Sequence, residues 1–253
     1  MSLIPQVTAI PVMGLPEIVS GDDVGALILS RCEANGTALA ADDLVVVSQK
    51  IVSKAEGAIQ LVSKQVPSSE AIELAGVVGK DPRLVQIVLD ESVRVVRAVP
   101  GVLIVETHHG FICANAGVDH SNIDGEDVVT TLPVDSDLSA RSIRDTLVGS
   151  TGLRLGVLVT DTFNRAWREG SINVGIGIAG FDPLRDLRGT TDDFDREMLT
   201  STVSVADEVA SAAQLVTGET GRIPAAIVRG VEWVSGDFPS RRMLRPSERD
   251  LFS

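Results

Sequence analysis

Cysteine is nearly absent. The two present, Cys32 and Cys113, lie far apart and have no metal-ligand spacing, which argues against a disulfide framework or a zinc site and for a reducing, cytoplasmic setting. Histidine is scarce too, with two adjacent in "THHG" and one in "DHSN". Adjacent side chains on an extended segment point to opposite faces, so His108 and His109 are expected to hydrogen-bond rather than to share a metal. No apolar run approaches the roughly 20 residues of a membrane span, and no charged start leads into an apolar segment, so neither a membrane anchor nor an export signal is expected. Basic residues are outnumbered, 22 against 35, and the formal charge of −13 argues against a nucleic-acid partner. A small phosphorylated ligand remains compatible with that charge if local lysines, arginines or a divalent metal reverse the field at its site. Linkers, low-complexity tracts and repeats are also missing, so residues 1–253 are expected to form a single domain of one unit or two intimately associated ones.

What the chain does have is apolar residues, 44% of 253, enough for a sizeable core. "VTAIPV" (7–12) reads as a short strand, followed by a helix over about 22–33 that Asp22 or Ser20 caps. "DLVVVSQKIVSK" (43–54) carries the strongest strand signal, with Lys50 and Lys54 toward its end. "SSEAIELAGVVG" and "DPRLVQIVLDES" read as consecutive helices, the second with Pro82 in its first turn. "VRVVRAV" and "VLIVET" flank Pro100-Gly101 as a hairpin. A capped helix over 136–149, a buried strand "RLGVLVTDT" (154–162), a helix within 200–217 and a strand "IPAAIVRG" (223–230) complete a mixed α/β, α+β pattern with acids at strand ends.

The glycines of "GIGIAG" match a dinucleotide fingerprint, but no amphipathic helix follows them, so they are read as allowing close backbone packing. "GVVGK" is too short for a Walker loop. Cys113 has no acid-base partner nearby in sequence and is read as a small buried thiol. In "VLVTDTFNRAWREG" an apolar strand delivers Asp161 and Thr162, hard oxygen ligands suited to magnesium or manganese. Arg165 and Arg168 follow around Trp167, and their guanidinium forks suit phosphate or carboxylate, here the substrate's. Asp119, in the small-residue loop "CANAGVDHSN", fits two roles: a metal ligand with room for phosphates beside it, or an Asx-turn cap. Lys54 fits two as well, a point charge for phosphate or a snorkelling edge lysine. The acids of "TTDDFDRE" are read as a solvated face.

Taken together, "PVMGLPE", "VVVSQKIVSKAEG", "ETHHGFICANAGVDHSN", "VTDTFNRAWREG", "GIGIAGFDPLRDLRG", "VADEVASAAQLVTGE" and "IPAAIVRG" resemble the ligases that add glutamate to the precursor of the deazaflavin coenzyme F420. The resemblance runs from about Val7 to Leu251. It implies a family-specific α+β fold with mixed sheets, assembled as an intertwined homodimer. It also implies a GTP-dependent amide ligation needing magnesium or manganese at two sites, with potassium as a further cation. The substrates would be GTP, L-glutamate and F420-0, whose phospholactate carboxylate is activated as an acyl phosphate, with γ linkage for the second glutamate. Carried over by motif, Asp119 and Asp161 hold one metal, and Thr162 and Glu219 a second. Leu15, Pro16, Glu17, Ile18, Gln49, Lys54 and Asn122 align with GTP contacts.

Three positions depart from the family's pattern. His108 stands where an arginine is common, which bears on affinity for the anionic precursor or on tail length. Asn164 and Asp195 stand where glycine is usual, and both residue types tolerate left-handed backbone. In some relatives a flavin-binding domain begins soon after a "DLF" segment, and this chain ends at "RDLFS", so a stand-alone enzyme and a ligase domain both fit. The readings set against ligation of F420-0 are the same scaffold with another acyl substrate, and a non-catalytic nucleotide or cofactor binder.

Overall fold

The structure, a computed structural model, describes residues 6–120, 125 and 127–250. Strands β1 (Thr8–Pro11), β2 (Leu44–Ser48) and β3 (Ile59–Leu61) alternate with helices α1 (Val24–Ala34) and α2 (Gln49–Glu56). Helices α3 (Ser69–Val78) and α4 (Pro82–Asp90) lead into strands β4 (Ser92–Val99), β5 (Val102–Thr107), β6 (Ile112–Ala114) and β7 (Val128–Thr130). After α5 (Ser136–Thr151) come β8 (Gly156–Arg165), β9 (Arg168–Ala179), β10 (Leu184–Asp186) and β11 (Thr202–Ser204), and then α6 (Val205–Thr217) and β12 (Ala225–Arg229). Helices and mixed sheets together make an α+β fold.

Five strands form the main sheet in the order β1-β12-β2-β8-β9, in which only β2 and β8 run parallel. Alternation along each strand divides its side chains between two faces. Val45, Val47, Val157, Val159 and Ile227 pack against α1, α2 and α5, whereas Leu44, Val46, Leu158, Ala226 and Val228 pack against α6. A third core lies under α3 and α4, where Val85, Ile87 and Val88 meet Leu103, Val105, Val118 and Val129. All of its members fall between residues 62 and 129, so this stretch folds as a unit inserted between α2 and α5.

Two glycines show why the layers meet as they do. Gly57 ends α2 at φ 72°, the left-handed conformation of a helix C-cap, and a Cβ there would stand 3.1 Å from Ser20 Oγ. Gly177 lies in β9 beneath the start of α5, where a Cβ would come within 2.2 Å of the Ser136 carbonyl oxygen. The glycine-rich run is thus a strand packed closely under a helix, in keeping with the packing role read from the sequence.

The structure corrects three expectations. Asp23, not Asp22 or Ser20, caps α1 by accepting from the Ala26 N–H at 2.9 Å, while Asp22 accepts from the Val19 N–H. The segment 43–54 is a strand only to Ser48, and Lys50 and Lys54 stand on a helix. Its β-branched residues satisfy both periodicities, and the helix prevails because Ile51 and Val52 then pack into the core while Gly57 closes the end. His108 and His109 lie in the turn between β5 and β6 rather than on an extended segment. Their Nε2 atoms sit 3.0 Å from the Asp90 carbonyl oxygen and 2.8 Å from that of Pro133, the hydrogen-bonding role expected.

Candidate functional site

Parallel neighbours end at the same edge of a sheet, and the crevice beyond their carboxyl ends is the usual ligand position in such sheets. Here Ser48 pairs with Thr160, so the chain leaves β2 into α2 beside the point where β8 presents Asp161. A β-bulge on β9 falls at this level: Val159 faces Gly177 but Thr160 faces Gly175, and Ile176 is the extra residue. Ile176 consequently packs on the α1, α2 and α5 side, although Ile178 two residues later packs on the α6 side.

Asp119 reaches the same edge from the inserted unit. It follows β6 and a 3-10 turn in which Asn115 and Ala116 have positive φ, and it exchanges both backbone hydrogen bonds with Thr130 of β7. Thr130 in turn pairs with Ile59 of β3, so Asp119 is the outer rung of a short ladder. Its Oδ2 accepts from Lys50 Nζ at 2.5 Å. The side chain thus engages a cation from another element.

Asp161 lies close enough to Asp119 and Glu219 for their charges to raise its affinity for a proton. Burial is the larger cause, and together they push its carboxyl up to about 7, against the opposing pull of the Thr162 backbone N–H and of Lys50. Thr162 Oγ1 stands 2.8 Å from Asn173 Oδ1 and 3.4 Å from Glu219 Oε1. Gln214 of α6 steadies this corner, donating to Glu219 Oε1 at 3.0 Å and accepting from the Asn173 N–H. Behind it, burial pushes the Cys113 thiol up to about 12, with the Asp161 charge adding to the effect, so it is an inert thiol as expected.

The second lysine of α2, Lys54, is buried and paired with Glu17, from the loop that also carries Leu15, Pro16 and Ile18. Ile18 anchors that loop in the core, while Pro16 and Glu17 are exposed. Gln49, in the first turn of α2, is buried, and its Oε1 accepts from Ser53 at 2.7 Å. Asn122 lies outside the described residues.

The two arginines lie at the far end of the β8–β9 hairpin. Arg165 is about 13 Å along the strand from Asp161, at roughly 3.3 Å per residue. Its Nη2 donates to the carbonyls of Glu169 and Gly170, which ties the turn together, and Arg168 is exposed. Trp167 takes φ 58° in this turn, and Asn164 is in the strand; Asp195 does adopt left-handed backbone, at φ 58°. Sequence reasoning missed Lys50 as a member of the site, although its spacing of four from Lys54 becomes informative once the segment is read as a helix.

The donors suit a hard divalent cation. Asp119, Asp161, Thr162 and Glu219 offer only oxygen, and the repulsion felt by Asp161 is of the kind that such a cation relieves. Among the described residues, no group of three or more histidine, cysteine, aspartate or glutamate side chains is placed to hold a metal ion.

A family model described as F420-0:Gamma-glutamyl ligase matches residues 13–230. The chain is 42% identical over 249 residues to the coenzyme F420:L-glutamate ligase of Methanothermobacter thermautotrophicus, covering 97% of this chain and 98% of the relative. It is 42% identical to that of Methanocaldococcus jannaschii over 83% of this chain and 84% of the relative. It is 39% identical to that of Archaeoglobus fulgidus over 97% and 96%.

Proposed function

Given that the chain belongs to the F420-0:gamma-glutamyl ligase family, we propose that it is a GTP-dependent ligase joining L-glutamate to the phospholactate carboxylate of F420-0 and then adding further γ-linked glutamates. The observation that carries this reading is that Asp161 lies within charge range of Asp119, Glu219 and Lys50, with Lys54 one turn further along the helix that carries Lys50. An amide ligation driven by a triphosphate needs this mixture of charges. The acceptor carboxylate and the γ-phosphoryl group repel one another until both are neutralised and held in line.

Asp119 and Asp161 would hold one divalent ion, and Thr162 and Glu219 a second. When bound, magnesium or manganese supplies charge neutralisation at the transferring phosphoryl group. Lys54 serves as a fixed positive charge for the phosphates beside the loop 15–18, and Gln49 and Asn122 complete the nucleotide contacts. The acceptor carboxylate oxygen attacks the γ-phosphorus, GDP leaves, and an acyl phosphate forms. Glutamate's amine then attacks the acyl carbon, loses its proton and expels inorganic phosphate. Arg165 and Arg168 take the anionic groups of the acceptor or of its growing tail, which extends the substrate along the β8–β9 hairpin. We further propose a homodimer; among the described residues, no helix is long and apolar enough to cross a membrane.

The test is incubation with GTP, manganese, glutamate and F420-0, followed by mass spectrometry for products heavier by one or more glutamyl units. Asp119→Asn and Asp161→Asn are expected to lose turnover by at least a factor of about 100, in line with removal of a preorganised charge-stabilising group. Asp161→Asn should melt near the parent, and Asp119→Asn, which takes a carboxylate from the nearly buried Lys50, somewhat below it. Tight GTP binding by the parent without any product would favour the non-catalytic binder, and full ligation by both variants would remove the metal assignment.

A further inference from the structure

The turn that delivers Asp119 is built from three successive residues in the left-handed region: Asn115 at φ 53°, Ala116 at φ 56° and Gly117 at φ 71°. Left-handed backbone is disfavoured for residues that carry a side chain, and those that adopt it usually do so singly. A run of three that includes an alanine persists only where its surroundings over-determine it. Packing fixes two of the three. Ala116 is buried in the core of the inserted unit, and Gly117 lies so close to Leu132 that a Cβ would stand 2.6 Å from its Cδ2. Asn115, which opens the run, is held by its side chain instead: its Oδ1 accepts from Lys80 Nζ at 2.6 Å, across 35 residues of chain. From there the path to Asp119 is short. The Val118 N–H donates to the Asn115 carbonyl at 2.9 Å, and the next residue is Asp119, bonded through its backbone to Thr130.

Lys80 reaches Asn115 from a fixed base. Gly79 closes α3 at φ 70°, and Asp81 caps α4 by accepting from the Arg83 N–H. The neighbouring carboxylate of Asp81 pairs with Arg83 and not with the lysine. Among the described residues, the Lys80 ammonium has one hydrogen-bond partner, the neutral amide oxygen of Asn115. Burial draws its proton affinity below the ordinary lysine range. A surface lysine keeps its charged head in water, whereas this one gives up part of its hydration to reach a neutral group.

We infer that Lys80 is a positioning residue for the ligation: by holding Asn115 in left-handed backbone it fixes the turn 115–117, and through that turn the place of Asp119 in the site. The inference rests on the proposed function for the part that Asp119 plays in turnover. It assigns Lys80 no contact with substrate and no chemical step.

The experiment compares the full chain with Lys80→Met, Lys80→Arg, Asn115→Gly and the double variant Lys80→Met with Asn115→Gly. Ligation of glutamate to F420-0 with GTP is measured beside hydrogen exchange. Lys80→Met should lower kcat by about tenfold or more, the scale of a misplaced active-site group. Lys80→Arg, which can still donate to Asn115, should keep most of the activity. Glycine enters left-handed backbone at no steric cost, so Asn115→Gly should remain active. Adding Lys80→Met to it should then cost little more, because the two positions act as one unit. Exchange in Lys80→Met should quicken at residues 115–119 and at Thr130 while α3 and α4 keep their protection. Should Lys80→Met fail to fold, Lys80→Gln is read in the same way. A parent-like kcat in Lys80→Met overturns the inference and leaves the ligase reading intact. So does an equally large loss on the Asn115→Gly background, or exchange quickened across α3 and α4 as much as at the turn. Absence of product from the parent overturns the ligase reading, and the exchange comparison then decides by itself whether Lys80 holds the turn.

Discussion

Glu91 follows the last turn of α4 beside Asp90, and burial raises its carboxyl above the ordinary glutamate range, although His108 and His109 draw it back down. A carboxyl whose folded pKa exceeds its unfolded value binds its proton more tightly in the folded state. Its contribution is therefore most favourable below the unfolded value of 4.5 and declines as pH rises from there to the raised folded value. Glu91→Gln should make the protein more stable than the parent at about pH 7 and no different at about pH 4, measured by urea denaturation at both. An equal difference at the two pH values would show that packing, not charge, separates them. At this scale the chemistry of the site was largely legible: Asp161 and Thr162 at a strand end and Asp119 among small residues stand out as oxygen donors. Lys50 was not, because its partner Asp119 lies 69 residues further along the chain and only the fold brings them together.

The β9 strand shows how an element constrains its residues. Gly177→Ala would place a methyl group 2.2 Å from the Ser136 carbonyl oxygen, at the first turn of α5. Backbone on both sides cannot yield as a flexible side chain would. The substitution should cost at least the 1–3 kcal/mol typical of overpacking, about as much as a buried cavity mutation, and the urea midpoint should fall accordingly. A midpoint unchanged from the parent would mean that α5 can lift away from the sheet. Strands β1, β2, β4, β5, β8 and β12, and all helices except α2, were legible from periodicity, capping residues and the Pro-Gly turn. The segment holding Lys50 and Lys54 was not. "QKIVSK" satisfies strand and helix patterns alike, and burial of Ile51 and Val52 beside α1, with Gly57 in left-handed conformation, decides between them.

Across the whole molecule, the candidate site lies where two packing units meet. Asp161, Thr162, Glu219 and Lys50 belong to the main sheet and its helices, whereas Asp119 is supplied by the inserted unit with its own core. Leu103 is fully buried in that second core, and Leu103→Ala should cost about 2–5 kcal/mol. Hydrogen exchange should then show lost protection in α3, α4 and β5 before any change in β2 and β8, with weaker manganese binding as Asp119 loosens. Uniform loss of protection throughout would mean that the two cores open as one. Residue chemistry and local patterning alone set which residues carry hard oxygen donors and fixed positive charge, which runs are apolar enough to be buried, and which family the motifs resemble. Those properties reside in single residues and in local periodicity. Long-range packing sets Asp119 against Lys50, brings Asp161 within range of the charges of Asp119 and Glu219, and makes α2 rather than a longer strand present both lysines. Desolvation and charge interaction act through space, and these groups come together only once β2 and β8 align and the inserted unit folds back against them.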